Sequence, residues 1–336
     1  MKLLSRIFAI LGNAALSCLW CAPALLAQDA APVTIKYAIP FPEVELMPLY
    51  AAQDQACFRD EKLAVEVYAL SSGDKITLAL VSSSIDIAIY TPDWFVRAIE
   101  RGDAPIRIVI GGSNVPVYSL IVAKEIATYA DLKGKRIAVS TVKASDAYLI
   151  RKMLAAHGLK EPDYGLIQAG SSADRAAALK AGSVSATLMI PPFDQRMVDE
   201  EGFKRLDVST SVVTHYAWLS QAVRQDWARS NKASLIGFIR CWIKGTRWLY
   251  DPKNKDAAIR ILSKELKIEN RFAQIAYDTY FASKAVTVAK DGEVDLVGLQ
   301  EIINAIAEQG DVGPPIPKAE KYLDLSYWEE ARTTLK

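Results

Sequence analysis

The chain has 336 residues, a formal net charge of +1, and lysine and arginine side chains scattered along its length. This length suggests more than one lobe or domain, and the balanced, dispersed charge excludes the electrostatic footprint of a nucleic-acid-binding protein. After residue 27, its histidines and cysteines form no Cys-x-x-Cys pair and no His/Cys cluster, which argues against a zinc site. We expect neither a metal nor a cofactor.

The N-terminus has the pattern of a secretory signal. Lys2 and Arg6 precede an uncharged apolar stretch at residues 7–20, and small residues follow it. That stretch is shorter than the roughly 20 apolar residues of a membrane-spanning helix, and the order of basic, apolar and small residues is typical of a cleaved signal. We predict a signal peptide over residues 1–27, with cleavage after Ala24 as the second choice, and a periplasmic mature protein.

Short strand patterns then alternate with helical patterns. Period-two alternation or a short apolar run predicts a strand, and apolar residues three and four apart predict a helix. The predicted strands of this first cycle are residues 33–39, 65–70, 85–90 and 106–110, and the predicted helices are 46–56, 74–83 and 94–101. This alternating order predicts a mostly parallel sheet covered by helices on both faces.

A second cycle begins near Arg136 and is followed by a helical segment. Its predicted strands are residues 136–140, 166–168 and 186–190, and its predicted helices are one capped by Ser145 and one at 173–181. Helical spacing dominates from about Asn231 onward. The further helices predicted there are residues 255–266, 271–282 and 295–309.

The two cycles contain similar stretches at residues 71–92 and 170–191. Each has small polar residues, a helix with an Ala-Leu pair, a short strand and a proline, and the spacing between them is a constant 99 residues, as from Pro92 to Pro191. This constant register predicts a structural duplication into two similar α/β lobes.

Two cysteines, Cys57 and Cys241, lie outside the predicted signal peptide. In an oxidising compartment they form either a disulfide or two buried free thiols. The sequence leaves both alternatives open.

Two segments carry a family resemblance. The letters D-L-K-G-K-R-I-A-V at residues 131–139 and G-S-V-S-A-T-L-M-I-P-P-F-D at residues 182–194 resemble segments of the nitrate/taurine/sulfonate-type and thiamine-precursor-type periplasmic solute-binding proteins of ABC importers. The resemblance implies an α/β, two-lobed periplasmic binding protein fold of a type II-like form. Each lobe would be a mostly parallel sheet flanked by helices, with a helical C-terminal segment on lobe 1.

The same resemblance implies where the lobes begin and end. Lobe 1 would comprise residues 33–117 and 217–336, and lobe 2 residues 118–216. The two crossings between them would lie near residues 111–120 and 210–219.

The resemblance also implies a function. The protein would capture a small organic solute between two closing lobes and deliver it to a membrane ABC permease with its ATPase, acting as a monomer. An organic sulfonate, an organic carboxylate and a heteroaromatic compound such as a thiamine-precursor pyrimidine all stay open as ligands. One alternative is a periplasmic sensor that signals to a receptor, because the same lobe closure would serve it.

A second alternative is an enzyme. Eukaryotic thiamine-pyrimidine synthases share the fold of this family, but their H-C-C-C-F-C cluster is absent here, as are G-x-S-x-G and H-E-x-x-H motifs. We therefore expect a binding protein and not an enzyme.

Open α/β sheets bind ligands beyond the carboxyl ends of their strands, so the predicted site residues lie in the turns after predicted strands. On lobe 1 they are Phe41, Glu43, Ser71, Ser72, Gly73, Tyr90, Thr91 and Asp93. On lobe 2 they are Ser140, Thr141, Lys143, Ser171, Pro192 and Phe193, and Tyr216 lies on the return crossing. Aromatic rings suit a stacked ring and the carboxylates suit its amines, whereas the hydroxyls and Lys143 suit an anion.

Overall fold

A computed structural model describes residues 31–102, 104–282 and 288–335 of the chain. Within these residues the strands are, in chain order, β1 (Val33–Ile39), β2 (Leu63–Ala69), β3 (Ile87–Tyr90), β4 (Ile106–Ser113), β5 (Ser119–Val122), β6 (Arg136–Val139), β7 (Gly165–Gln168), β8 (Ala186–Met189), β9 (Lys204–Val208) and β10 (Leu219–Arg224). The predicted signal peptide lies outside the described residues.

The helices fill the intervals and the C-terminal part. They are α1 (Met47–Asp54), α2 (Cys57–Asp60), α3 (Gly73–Val81), α4 (Pro92–Gly102), α5 (Ser145–Ala156), α6 (Ser172–Lys180), α7 (Phe193–Asp199), α8 (Gln225–Ser230), α9 (Lys232–Tyr250), α10 (Lys255–Leu266), α11 (Asn270–Tyr277), α12 (Leu296–Glu308) and α13 (Ser326–Thr333). Among the described residues, no helix is both long enough and apolar enough to cross a membrane.

The first sheet has the strand order β2-β1-β3-β10-β4. β1 is parallel to β2 and β3, and Tyr37 lies opposite both Val67 and Ile87. β10 runs antiparallel to β3 and β4, between which it is inserted. The local sequence pattern at these residues did not predict a strand. A strand between two others is stabilised by its partners more than by its own period, so only the assembled sheet reveals it.

The second sheet has the order β7-β6-β8-β5-β9. β6 is parallel to β7 and β8, whereas β5 is antiparallel to β8 and β9. In both sheets, therefore, the fourth strand in spatial order runs against the other four. Each sheet is flanked by helices, and the fold is the predicted two-lobed α/β arrangement. The predicted lobe boundaries stay a prediction.

The predicted duplication corresponds to matching elements. α3 and α6 both have nine residues, and both α6 and β8 begin 99 residues after their counterparts α3 and β3. The turn before each helix has a left-handed residue at the same place, Ser71 with φ 59° and Gly170 with φ 84°. The two lobes thus share backbone geometry as well as sequence pattern.

The long helix α9 of the C-terminal part packs against the first lobe. α9 packs against α1, and Gly245 permits this approach because a Cβ atom there would overlap the carbonyl oxygen of Pro48. Phe238 on the same helix lies against Tyr37 of β1, with ring centroids 5.2 Å apart. Cys241 on α9 forms a disulfide with Cys57 of α2. The structure therefore decides between the two alternatives in favour of the disulfide.

Several element boundaries differ from the predictions. The helix predicted at 46–56 is shorter in the structure: a 3-10 turn ends at Leu46, α1 covers Met47–Asp54, and Ala56 has a left-handed conformation at φ 57° before α2 begins. The prediction that Ser145 caps α5 is wrong, because Ala144 holds the N-cap position and Ser145 is the first helical residue. The helix predicted at 271–282 is α11 followed by a π-helical turn, Asp278–Ala282.

Candidate ligand-binding cleft

Turns from the two lobes meet across one crevice, which we call the cleft. Nη2 of Arg97, on α4 of the first lobe, donates to the main-chain oxygen of Lys143 in the second lobe at 3.3 Å. Ser145 Oγ lies 3.5 Å from Asp93 Oδ1, and the rings of Tyr148 and Tyr216 stack with centroids 5.5 Å apart. Strand-end turns of the two lobes therefore face each other, as the carboxyl-end rule predicts.

Two buried glutamates follow β1 on the first-lobe side of the cleft. Glu43 is 5% exposed and Glu45 is 1% exposed. The Tyr280 hydroxyl donates to Glu45 Oε1 at 2.8 Å, whereas Oε1 of Glu43 is buried without a hydrogen-bond partner. None of the ion pairs between described residues includes either glutamate. We call Glu43 and Glu45 the acidic pair.

Burial controls the protonation of the acidic pair. It raises the pKa of Glu43 well above the usual range, and the charge of Glu45 raises that pKa further. Burial also raises the pKa of Glu45, while hydrogen bonds from Tyr280 and Trp218 act in the opposite direction. A buried carboxylate without a partner is unfavourable, so this part of the cleft is suited to a group that donates hydrogen bonds or carries positive charge.

A row of aromatic side chains, the aromatic wall, runs from the second lobe to the acidic pair. It comprises Tyr148, Tyr216, Trp218 and Tyr118. Tyr216 and Trp218 have centroids 6.4 Å apart, and Trp218 meets Tyr118 edge to face at 5.3 Å. Burial raises the pKa of Tyr118, and the charges of the acidic pair act in the same direction. The wall therefore ends beside the acidic pair.

An ion network lies at the first-lobe end of the contact between lobes. Arg97 pairs with Asp93 and, through Nε, with Asp311 at 2.9 Å. Asp311 also pairs with Arg101 at 2.6 Å and with Lys143 of the second lobe at 3.7 Å. Burial raises the pKa of Asp93 although Arg97 opposes the shift. Burial tends to raise the pKa of Asp311, but the hydrogen bonds and charges of Arg101 and Arg97 outweigh burial and lower this pKa.

On the second-lobe side, Arg175 and Asp146 organise the turns. Arg175 is 3% exposed, and its guanidinium donates to the main-chain oxygens of Gly170 at 2.9 Å and Leu188 at 3.3 Å. It also lies 3.6 Å from Asp146. Asp146 accepts from the main-chain nitrogen and the hydroxyl of Ser140, both at 2.7 Å. These hydrogen bonds and this ion pair connect the turns after β6 and β7 with each other and with β8.

The predicted site residues differ in exposure. The buried ones are Glu43, Gly73, Thr91, Asp93, Pro192 and Tyr216; the half-buried ones are Phe41, Ser72, Tyr90, Ser140, Thr141 and Phe193; and the exposed ones are Ser71, Lys143 and Ser171.

Contacts across the cleft bring the Asp93, Lys143 and Tyr216 regions together. Ser171 instead forms a capping box with Asp174 at the start of α6, and a Cβ on Gly73 would meet the Trp94 ring. Ligand contact stays a prediction for all fifteen residues.

Several residues described in this cleft were not among the predicted site residues. They are Glu45, Arg97, Tyr118, Asp146, Tyr148, Arg175, Trp218 and Asp311. One signal existed for Glu45: two glutamates lie in the otherwise apolar run P-F-P-E-V-E-L-M, where burial of charge requires a reason. The others depend on contacts between residues distant in sequence, such as Arg97 with Asp311.

A separate groove of about 390 Å³ lies between α1 and α10, away from the strand ends. Its lining includes Tyr50, Asp54, Arg260 and Lys264. Ligands of this architecture bind at strand ends, so this groove is not the predicted ligand site. Within the described residues, no cluster of His, Cys, Asp and Glu is arranged to hold a metal ion.

Known structures share this fold. The periplasmic nitrate-binding protein NrtA from Synechocystis PCC 6803 matches with a TM-score of 0.75 at 16% identity, over 92% of this chain and 90% of that one. The alkanesulfonate-binding protein SsuA from Xanthomonas axonopodis pv. citri, bound to MOPS, matches with a TM-score of 0.67 at 18% identity, over 86% of this chain and 95% of that one. At these identities the likeness shows the fold.

The sequence is similar to a bacterial protein over part of its length, and it also matches a family model. The protein YtlA of Bacillus subtilis (strain 168) is 22% identical over 214 residues, which is 62% of this chain and 64% of that protein, so less than two thirds of that relative is matched. The family model described as NMT1/THI5 like matches residues 43–255. Because this match spans more than half of the chain, from the acidic pair through both sheets, the chain belongs to the NMT1/THI5-like family.

Proposed function

We propose that this protein is the solute-binding component of an ABC importer and captures a small organic solute in the cleft. The observation that carries the proposal is the convergence of buried polar and aromatic side chains from both lobes at the strand ends, as in the acidic pair and the aromatic wall. Ligand sites of α/β sheets have this position and this mixture of groups. The nitrate-binding and alkanesulfonate-binding proteins of the same fold support it.

The proposal includes export to the periplasm. The predicted signal peptide supports export, and so does the Cys57–Cys241 disulfide, because disulfides persist in oxidising compartments. N-terminal sequencing of the purified secreted protein tests this part. We expect the mature chain to begin at Gln28, and a chain that retains Met1 would contradict export with cleavage.

Binding would draw the lobes together about the segments that connect them. Contacts such as Arg97 with Lys143, and the ion pair of Arg271 with Glu200 just after α7, join the lobes and would be present only when the cleft is closed. Binding-protein lobes commonly move as rigid bodies about short hinges. This motion would give the ABC permease and its ATPase a surface that reports the bound state.

A thermal-shift screen against a broad library of cationic, neutral and anionic solutes tests the function. A ligand that binds only the folded state raises the melting temperature, and small-angle scattering with each hit should show a smaller radius of gyration. Purified protein that responds to no solute of any charge would contradict the proposal. Uptake by vesicles that contain the permease and ATPase would distinguish transport from a sensory role, in which binding occurs without uptake.

A further inference from the structure

Each glutamate of the acidic pair has one buried oxygen that lacks a hydrogen-bond partner. These atoms are Oε1 of Glu43 and Oε2 of Glu45, while Oε1 of Glu45 accepts from Tyr280. On β10, Gln221 Nε2 is also buried without a partner, and Gln221 Oε1 accepts from Tyr37 at 3.0 Å. Native proteins rarely leave buried polar atoms unsatisfied, so the acidic pair indicates where a bound molecule supplies the missing hydrogen bonds.

The cations that border the cleft are already committed to other groups. Arg97 is paired with Asp93 and Asp311, and Lys143 is paired with Asp311. Arg175 is held by two carbonyl oxygens and Asp146, and its Nε atom is buried without a hydrogen-bond partner. Among the described residues, none of these three forms an ion pair with the acidic pair. An anion entering at the acidic pair would therefore meet two glutamates that none of these cations pairs with.

The aromatic wall adds a second feature that favours positive charge. Its ring faces carry negative electrostatic potential, and a cation over such a face is stabilised, more so when both are desolvated. Tyr118 and Trp218 pack edge to face. Burial raises the pKa of Tyr118, Arg175 opposes this shift, and the charges of Asp146, Glu43 and Glu45 add to it, while Trp218 lowers the pKa of Glu45. Carboxylate and aromatic faces therefore occupy the same part of the cleft.

We propose that the solute carries a positively charged, hydrogen-bond-donating group, a protonated amine or an amidinium, which binds Glu43 of the acidic pair against Tyr118 and Trp218. This inference rests on the proposed solute-binding function and narrows its ligand class. N–H donors are required because the Glu43 oxygen lacks a hydrogen bond, which a quaternary ammonium group does not supply. A sulfonate or carboxylate group placed there would instead add a buried negative charge beside two glutamates and would supply no N–H donor.

Four probes with one ring and different head groups test the charge preference, together with the solute library. They are benzamidine, benzamide, benzoate and benzenesulfonate. The expected result is that library hits are enriched in primary amines and amidines, and that benzamidine raises the melting temperature while the two anionic probes do not. Hits confined to anions would overturn this inference and leave the solute-binding function standing. Absence of any hit, by contrast, would contradict the solute-binding function itself.

Isosteric variants then locate the contact. Glu43→Gln should weaken binding of the best cationic hit by about tenfold or more, because a charged hydrogen bond is lost. Glu125→Gln, at an exposed position of the second lobe outside the strand-end turns, is the matched control and should bind like wild type. Calorimetric titration of both variants, each first shown to melt cooperatively, provides the comparison. Equal affinity of Glu43→Gln and wild type for a cationic hit would overturn the assignment of Glu43.

Discussion

The turn after β1 in the first lobe and the turn after β6 in the second occupy the same place in two matching sheets, but they carry opposite charges. Ala38 and Ala138 hold equivalent register positions in these strands. Five residues after them lie Glu43 and Lys143, respectively. Glu43 is buried without a partner, whereas the Lys143 side chain is 59% exposed and pairs with Asp311. The two turns thus have the same position in their sheets, but the residues that surround each turn determine the burial and pairing of its charged side chain.

The helix starts of the two lobes show the same contrast. Ser72 precedes α3 without a side-chain cap hydrogen bond, whereas Ser171 precedes α6 in a complete capping box with Asp174. Capping satisfies main-chain N–H groups that a helix start would otherwise leave open. The two turns therefore differ in how their serines are used, since only the Ser171 side chain caps its helix.

The largest expected effect comes from the disulfide, which only the first lobe has. The double variant Cys57→Ala/Cys241→Ala should lose about 2–5 kcal/mol of unfolding free energy, because the bond no longer restricts the unfolded chain. Urea unfolding followed by tryptophan fluorescence measures the loss. Reductant should lower the wild-type midpoint toward that of the variant and leave the variant unchanged. A variant with the wild-type midpoint would show that the bond does not stabilise the first lobe.

The second prediction concerns one cleft residue from each lobe. Tyr90→Ala and Thr141→Ala should each weaken binding of a solute found in the screen by at least about fivefold, since loss of a desolvated hydrogen bond or ring contact costs roughly 1–3 kcal/mol. Lys253→Ala, at an exposed position before α10, is the control and should leave the affinity unchanged. Wild-type affinity in both cleft variants would place the ligand elsewhere.

The third prediction uses the pH dependence of the unfolding free energy to distinguish the role of Glu43 from that of its counterpart Lys143. Burial raises the folded-state pKa of Glu43, so its contribution to stability is full below the unfolded pKa of about 4.3 and decreases as pH rises through the folded pKa. Glu43→Gln removes that titration. Its unfolding free energy should therefore increasingly exceed that of wild type as pH rises from about 4.3.

The groups that respond to the charge of Glu43 belong to several elements. They include Tyr37, Tyr50, Tyr90, Tyr118 and Tyr280, whose pKa values burial raises first and the charge of Glu43 raises further. None of these tyrosines ionises in the acidic range. Lys143→Gln is the matched control, and its difference from wild type should not vary over the same range. A constant difference for Glu43→Gln, measured by urea unfolding, would contradict the raised pKa.

The smallest expected effect compares the two helix caps. Ser171→Ala should lower the unfolding free energy by about 1 kcal/mol, because it removes an N-cap hydrogen bond. Ser72→Ala should have a smaller effect, since Ser72 makes no such bond in the structure. Thermal unfolding of both variants in parallel makes the comparison. A larger loss of unfolding free energy in Ser72→Ala than in Ser171→Ala would contradict the expectation that the Ser171 cap contributes more to stability.

Much of the fold was predictable from local patterns. The bounds of β1 and α10 agree with those predicted, at residues 33–39 and 255–266, because period-two alternation and helical spacing are properties of neighbouring residues. The constant spacing between the repeated stretches predicted two lobes for the same reason. The acidic nature of the first-lobe turn at Glu43 was also visible in the sequence, although its missing partner was not.

Tertiary structure decided what depends on residues far apart. β10 and β5 enter their sheets as antiparallel strands that local period does not specify, and Cys57 pairs with Cys241 across 184 residues. Arg97 is held by Asp311, more than 200 positions along the chain, and no ion pair between described residues includes Glu43. A sequence determines which groups are available at each turn, but burial and pairing in three dimensions determine which of them remain free to bind a ligand.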